Sequence, residues 1–288
     1  MASLIIGCGY LGQRVALVLL RQAVPVTGVV RSGASREGLE KVGIPAVMAD
    51  LDRPAEFPQL PLAGINLFYF VPPPRDGEQE LRVASLIQSF KRQGHPRRVV
   101  YLSTTGVYGD CGGAWVDEQR PVAPRVPRAL RRWDAEQRLR RWRERGSGEL
   151  VILRVAGIYG PGKLPLERLR KGEPMVQASE APYSNRIHID DLLQVCMAAM
   201  ARGRDGAVYN VSDGHPSTMI DYFDRIADLA GLPRPPQIPL AEAEGRLSLG
   251  MLSYMRESRR LDNRLLREEL GVVLKYPTLE SGLPSCFD

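Results

Sequence analysis

The sequence predicts an α/β fold, a doubly wound parallel sheet with a small C-terminal lobe. Three observations carry this prediction. Short apolar runs alternate with helical stretches through the first half of the chain. The first run, Ser3-Leu4-Ile5-Ile6, enters a glycine-rich turn and then a helix. The second half is less regular and is interrupted by prolines. Strands alternating with helices belong to a parallel sheet covered on both faces, which is why such strands read as apolar throughout.

The elements follow in order. Leu11 to Arg21 reads as a helix, with Val15, Leu17, Val18, Leu19 and Leu20 for burial. Val24 to Val30 is the second strand and Ala46 to Ala49 the third. Ile65 to Val71 is the fourth, ended by Pro72-Pro73-Pro74. A helix over Glu78 to Gln93, a strand over Arg98 to Leu102, a helix over 127–145 and a strand over Leu150 to Val155 complete the regular part. Beyond it the sequence predicts a Gly/Pro loop at Gly157 to Gly162 and a helix from Asp190 to Ala201. A short strand at Tyr209 to Val211 and a helix from Thr218 to Ala230 come next. Pro233 to Pro239, with four prolines, reads as a connector, and Asn263 to Leu270 as a late helix ended by Gly271. Residues 1–156 are expected to form the nucleotide-binding core. Residues 157–288 complete it and build the small substrate lobe over the carboxyl ends of the strands, where open α/β sheets bind ligands.

The 288 residues are 44% hydrophobic and 25% charged, as in a globular protein of one large domain or one domain with a smaller lobe. No apolar stretch approaches the ~20 residues of a membrane span, and a fold that begins by residue 4 leaves no room for a signal peptide. Cys8, Cys111, Cys196 and Cys286 are far apart and form no C-x-x-C, which points to reduced thiols rather than a disulfide framework or zinc site. Together these features imply a cytoplasmic protein with no membrane partner and no metal. The net charge of +6 is carried mostly by arginine. Its densest stretch, Arg125 to Arg145, is interrupted by Asp134, Glu136 and Glu144 and offers Leu130, Trp133 and Leu139 for packing. It reads as a solvated helix face and not as a nucleic-acid surface.

The turn Gly7-Cys8-Gly9-Tyr10-Leu11-Gly12 is a G-x-G-x-x-G placed between a strand and a helix, the Rossmann-type dinucleotide-binding context. Gly7 allows the tight turn, Gly9 lets backbone approach a pyrophosphate, and Gly12 lets the helix pack close to the strand. The helix N-terminus, with Tyr10 and Leu11, turns unpaired N–H groups and a positive dipole end toward the phosphates. The second strand ends Val30-Arg31-Ser32, with Arg31 nineteen residues after Gly12. NAD binders usually place an acid near this position to bond the adenosine ribose; an arginine instead pairs with a 2′-phosphate. Arg31, with Ser32 and Arg36 adding a donor and charge, therefore predicts NADP(H) in preference to NAD(H). Asp50 and Leu51, after the third strand, are candidate adenine contacts; an ordinary loop acid fits Asp50 nearly as well.

A second set of motifs follows. Val99-Val100-Tyr101-Leu102-Ser103-Thr104-Thr105-Gly106-Val107-Tyr108-Gly109-Asp110 resembles the fifth strand and following loop of extended short-chain dehydrogenases/reductases. Leu153-Arg154 through Tyr159-Gly160-Pro161-Gly162 is similar to the family's L-R-x-x-x-x-Y-G-P-G segment. Asn185 to Asp191 resembles its R-x-x-H-x-x-D element, and Val208-Tyr209-Asn210-Val211 its late strand. The resemblance spans nearly the whole chain and is nearest to an atypical NAD(P)-dependent epimerase/dehydratase-like branch. It implies an oxidoreductase or epimerase/dehydratase-like activity on a carbonyl or nucleotide-sugar-like substrate, and it is the sole basis for expecting a homodimer.

Members of that family work through a Ser/Thr, a Tyr and a Lys. Thr104 matches the Ser/Thr, with Ser103 and Thr105 as near alternatives. The Tyr and Lys come four residues apart on the next helix, often with a Glu four residues after the Lys. With Glu136 as that marker, Arg132 stands at the Lys position and Arg128 at the Tyr position. Arginine stays protonated, so Arg128 cannot exchange a proton as a tyrosine does. It can bind a substrate carboxylate or phosphate, and Arg132 can donate to ribose hydroxyls. Tyr159 and Lys163 have the right spacing, but two glycines and a proline between them do not make a helical turn. Tyr108 is the candidate for a relocated acid, with a packing tyrosine in the V-Y-G turn as its preferred reading. His188 and Asp190-Asp191 read as structural, Asp117-Glu118 as loop acids, and Cys111 lacks an adjacent base. Two functions stay open, an NADP(H)-dependent enzyme and a non-catalytic NADP(H) sensor that kept the fold and lost the chemistry.

Overall fold

In a computed structural model of the chain, the structure describes residues 1–53 and 57–287. The strands in chain order are β1 (Ser3–Ile6), β2 (Val26–Val30), β3 (Ala46–Met48), β4 (Asn66–Tyr69), β5 (Arg98–Thr104), β6 (Trp115–Val116), β7 (Glu149–Val155) and β8 (Gly157–Tyr159). They continue with β9 (Met175–Val176), β10 (Tyr183–Ser184), β11 (Arg186–His188), β12 (Val208–Val211), β13 (Ser217–Thr218), β14 (Gln237–Ile238) and β15 (Arg260–Leu261). The longer helices are α1 (Tyr10–Arg21), α2 (Gly33–Lys41), α3 (Leu81–Gln93) and α4 (Pro127–Glu144). After the short α5 (Leu166–Arg170) come α6 (Ile189–Arg202), α7 (Met219–Ala230) and α8 (Leu249–Met255), then α9 (Arg264–Glu268) and α10 (Leu279–Gly282).

Seven strands form the central sheet in the order β12-β7-β5-β4-β1-β2-β3. The pairs β1·β2, β1·β4, β2·β3 and β4·β5 are all parallel, with Ile6 opposite both Val29 and Tyr69. The chain winds outward from β1 to β3 and then returns to the other side of β1 with β4. That reversal is the topological switch point, where open α/β sheets bind ligands at the carboxyl ends of their strands. The turn after β1 lies there. This is the Rossmann-type sheet that the sequence predicts.

Two compact units divide the chain. The first is Met1–Val107, Pro124–Arg154 and Leu193–Tyr209; the second is Tyr108–Ala123, Val155–Leu192 and Asn210–Asp288. In the first, Leu4, Ile6, Leu67, Tyr69, Val99 and Tyr101 from the sheet pack with Val83, Leu86 and Phe90 of α3 and Leu139 and Trp142 of α4. In the second, Met175, Val176, Ile220, Phe223, Ile226 and Met251 form a separate core.

Most element bounds differ from the sequence expectation by one to three residues. Several differences are of kind, among them three that bear on the architecture. The segment at Gly157 to Gly162 begins as strand β8, which pairs in parallel with β11, so it is not all loop. The proline-rich connector holds β14, whose two non-proline residues pair with β9. There Met175 N–H donates to Pro236 O and Gln177 N–H to Ile238 O, bonds that need no N–H from a proline. Helix α2 has no counterpart in the sequence reading, because only Leu39 of its residues is buried and no apolar period marks it. None of the described helices is long and apolar enough to cross a membrane.

Candidate active site and cofactor-binding loop

The glycine turn takes its shape from steric necessity. Gly7 has φ of +88°, and a Cβ there would meet Val71 N at 2.7 Å and Phe70 C at 2.9 Å, the backbone just beyond β4. A Cβ on Gly12 would meet Gly7 O and Ile5 Cγ2 at 3.0 Å, so the absence of a side chain at residue 12 eases the close approach of α1 to β1. Gly9 is different. A Cβ there would have no neighbour within 4 Å, and the residue is exposed. Gly9 is the N-cap of α1 and supplies no side-chain cap, so the helix offers its first-turn N–H groups to whatever occupies that open space. Tyr10 is half-buried with the Arg14 guanidinium 4.1 Å over its ring, and Leu11 is buried. Gly28 on β2 is a further steric requirement, since its Cβ would stand 2.8 Å from Cys8 Sγ. Its place mid-strand was the available signal.

At the end of β2, Arg31 is exposed and adds to the field on Asp52. Ser32 has a structural task as well, because it caps α2 by accepting from Ser35 N–H. Arg36 pairs with Glu40 at 2.8 Å across one helical turn. Asp50 is half-buried and its Oδ1 accepts from Asp52 N–H, while Leu51 is buried. Asp52 was not singled out from sequence. Arg82 of α3 grips both of its oxygens, at 2.7 and 2.5 Å, and that hydrogen bonding holds the Asp52 carboxyl below its ordinary range.

Of the three adjacent hydroxyls that end β5, only Thr104 is accessible. Ser103 is buried and donates to Glu136 Oε1 at 2.5 Å, and Thr105 is buried too. Thr104 is half-buried, and its Oγ1 accepts from Gly106 N–H at 3.2 Å. Glu136 is fully buried and paired with Arg154, whose Nη2 donates to Oε2 at 2.8 Å. The arginine of the Leu153-Arg154 motif therefore ties β7 to α4 through the same carboxylate that receives Ser103.

Arg132, which the spacing from Glu136 predicts at the position of the family's lysine, points inward. Its Nη1 donates to Val71 O at 3.0 Å and to Tyr101 Oη at 3.2 Å. Burial pushes the Tyr101 phenol up to about 12, against the pull of Arg132. Arg131 donates to Gly77 O and Arg82 to Pro72 O, so three guanidinium groups pin the segment between β4 and α3. Beneath them Glu80 is buried at the start of α3, with the backbone N–H groups of Arg82 and Val83 facing its carboxyl and no side chain paired to it, and Tyr69 Oη is unpartnered. Burial raises Glu80 to about 7, opposed by Arg132 and Arg82. Arg128 is half-buried in the first turn of α4.

In the second unit, Tyr108 is 1% exposed and its hydroxyl donates to Asn210 Oδ1 at 2.7 Å. This hydrogen bond and burial are what the packing reading of Tyr108 expects. Glu118 accepts from Asn210 N–H at 2.7 Å. His188 lies between Tyr159 and Tyr276, and its Nδ1 accepts from Asp190 N–H. Asp191, beyond its place in the first turn of α6, accepts from Lys275 and Tyr276 N–H. Burial raises the Cys111 thiol, the opposite of what a nucleophile needs.

Residues 78–212 match the model of the NAD dependent epimerase/dehydratase family. The chain is similar to this family over that stretch, just under half of its length. The match begins beyond the glycine turn, so the family similarity and the turn are independent observations. The chain is 26% identical over 283 residues to Protein YeeZ of Escherichia coli K12, covering 95% of each. A functionally unknown conserved protein from Silicibacter pomeroyi has a structure similar to this one, with TM-score 0.87 and 35% identity over 100% of this chain and 98% of that one. The UDP-glucuronic acid 4-epimerase of Bacillus cereus in complex with NAD shares the fold, with TM-score 0.75 and 16% identity over 99% and 97% of the chains.

Proposed function

We propose that this protein is an NADP(H)-dependent oxidoreductase or epimerase/dehydratase-like enzyme acting on a carbonyl or nucleotide-sugar-like substrate. The observation that carries the cofactor half is the pairing of an open, uncapped helix start at Gly9 with Arg31 at the end of β2. The glycine turn would hold the pyrophosphate and Arg31 the 2′-phosphate, with Ser32, Asp50 and Leu51 around the adenosine. The bound nicotinamide supplies the hydride chemistry. Thr104 is the hydroxyl that orients a substrate oxygen, since Ser103 and Thr105 are buried. Arg132 braces Val71, the residue that abuts Gly7, and so supports the cofactor loop in place of polarising a tyrosine. Arg128 is assigned to an anionic group of the substrate.

NADPH consumption across a panel of carbonyl and nucleotide-sugar compounds tests this. Turnover that Thr104→Ala reduces without loss of NADPH affinity is the expected result. Inactivity toward every compound, with tight NADPH binding intact, overturns the enzyme assignment.

The inward orientation of Arg132 favours one alternative, a non-catalytic NADP(H) sensor. That reading expects NADP⁺ and NADPH to change association with another protein to different extents. Identical behaviour of the cofactor-free protein and both bound forms in a pull-down contradicts it.

A further inference from the structure

A groove at the far end of the first unit has a lining that neither cofactor nor substrate binding uses. Ala84, Ile87, Gln88 and Lys91 recur on α3 at the spacing of one helix face, and Arg138, Arg141, Trp142 and Arg145 repeat the same spacing along and just past α4. With His95 and Ser147 these two faces line a groove of about 370 Å³, within the range of small-molecule sites. It lies beside the turn that leads into the amino end of β5. The glycine turn follows the carboxyl end of β1 in the same parallel sheet, so the two places are at opposite ends of the strands.

Every charged group in this lining is a cation. Arg138 is neutralised by Asp134 at 2.7 Å. Lys91, Arg141 and Arg145 are exposed, and among the described residues none of them has an ion-pair partner. The histidine adds a donor. An indole N–H can only donate, and Trp142 Nε1 stands 3.0 Å from His95 Nδ1, so Nδ1 accepts and Nε2 carries the ring proton. Cations in a last helical turn are favoured for a reason that involves no ligand, since they offset the carboxyl-terminal dipole. Arg21 of α1 and Lys41 of α2 do that singly. On α3 and α4 the two ends converge, and three unpaired cations face one concavity with no carboxylate among them.

We infer that this groove is a second anion site, built for a phosphate-bearing small molecule and separate from the dinucleotide loop. Two guanidinium groups one helical turn apart, an ammonium opposite and an imidazole N–H form a donor-only set that matches phosphate oxygens. A second copy of the chain is a poor occupant, because the same face on both copies sets three unpaired cations against three.

The test titrates inorganic tripolyphosphate into the full chain, with and without saturating NADPH, and follows the Trp142 indole N–H by NMR. The site predicts binding in both conditions and a shift of that resonance that saturates with the ligand. Arg141→Glu with Arg145→Glu weakens binding at least about tenfold, and Lys91→Gln weakens it by a smaller factor. Arg21→Glu with Lys41→Glu, an equal charge change at other helix ends, leaves the affinity within about twofold. Equal affinity in the two double variants, an indole resonance that stays fixed while tripolyphosphate binds, or tighter binding of a single-stranded oligonucleotide through the same residues overturns the inference.

Discussion

The glycine turn and the first turns of α4 both press on Val71, yet their sequences relate to their geometry in opposite ways. Gly7 packs on the Val71 amide, and each loop glycine stands where the strand-turn-helix pattern places it. Arg132 holds the Val71 carbonyl, but nothing in the sequence around α4 announces that partner, which lies 61 residues away. The first region is governed by local backbone conformation, which a short motif specifies. The second is governed by contacts between distant segments, where a residue's type says what it can do but not toward what. The loop's shape can therefore be kept while the residues of α4 beside it change.

Removing a distant contact is the harshest way to break this comparison. Arg154→Ala leaves the buried Glu136 carboxylate with the Ser103 hydroxyl and, for positive charge, only the more distant Arg140 guanidinium at 4.0 Å. Such a loss costs about 3–5 kcal/mol, read as a fall in denaturation midpoint. A change under about 1 kcal/mol contradicts the buried network.

The glycines separate shape from binding. Gly7→Ala forces a side chain into positive φ against Val71 and should cost about 1–3 kcal/mol or more. Gly9→Ala meets no atom, so stability stays within about 0.5 kcal/mol. NADPH affinity nevertheless drops at least about tenfold, because the added methyl occupies the phosphate approach. Unchanged affinity in Gly9→Ala would remove the phosphate from that space.

The smallest effect concerns Glu80. Its folded value of about 7 lies above the ordinary 4.5, so the folded state holds the extra proton between those values. The contribution is full below about 4.5 and is lost as pH rises through 7. Glu80→Gln stays neutral throughout. Its melting temperature relative to the parent should therefore rise between pH 5 and pH 8, and a pH-independent difference contradicts the raised, buried carboxyl.

The parts legible in the sequence were those set by short-range rules. The strand order of apolar runs, the glycine turn and the long helices follow from periodicity and backbone sterics. Strand β14 was not legible, because two residues between prolines carry no period, and α2 was hidden by its exposure. In the site, Thr104 could be placed by motif but not separated from Ser103, since that depends on Glu136 lying beneath one hydroxyl and not the other. The packed state of Tyr108 likewise depends on Asn210, 102 residues away. Arg132 could be seen as unable to play a lysine's part, while its use as a brace required the fold.

The central claim is that the loop at residues 7–12 binds NADP(H) with Arg31 reading the 2′-phosphate. Dissociation constants for NADPH and NADH, measured on the parent and on Arg31→Asp, test it most directly. The parent is expected to prefer NADPH, and the variant to lose at least about tenfold in NADPH affinity while NADH is held or gained. Equal affinities in the parent, or a variant that keeps its NADPH preference, would contradict it.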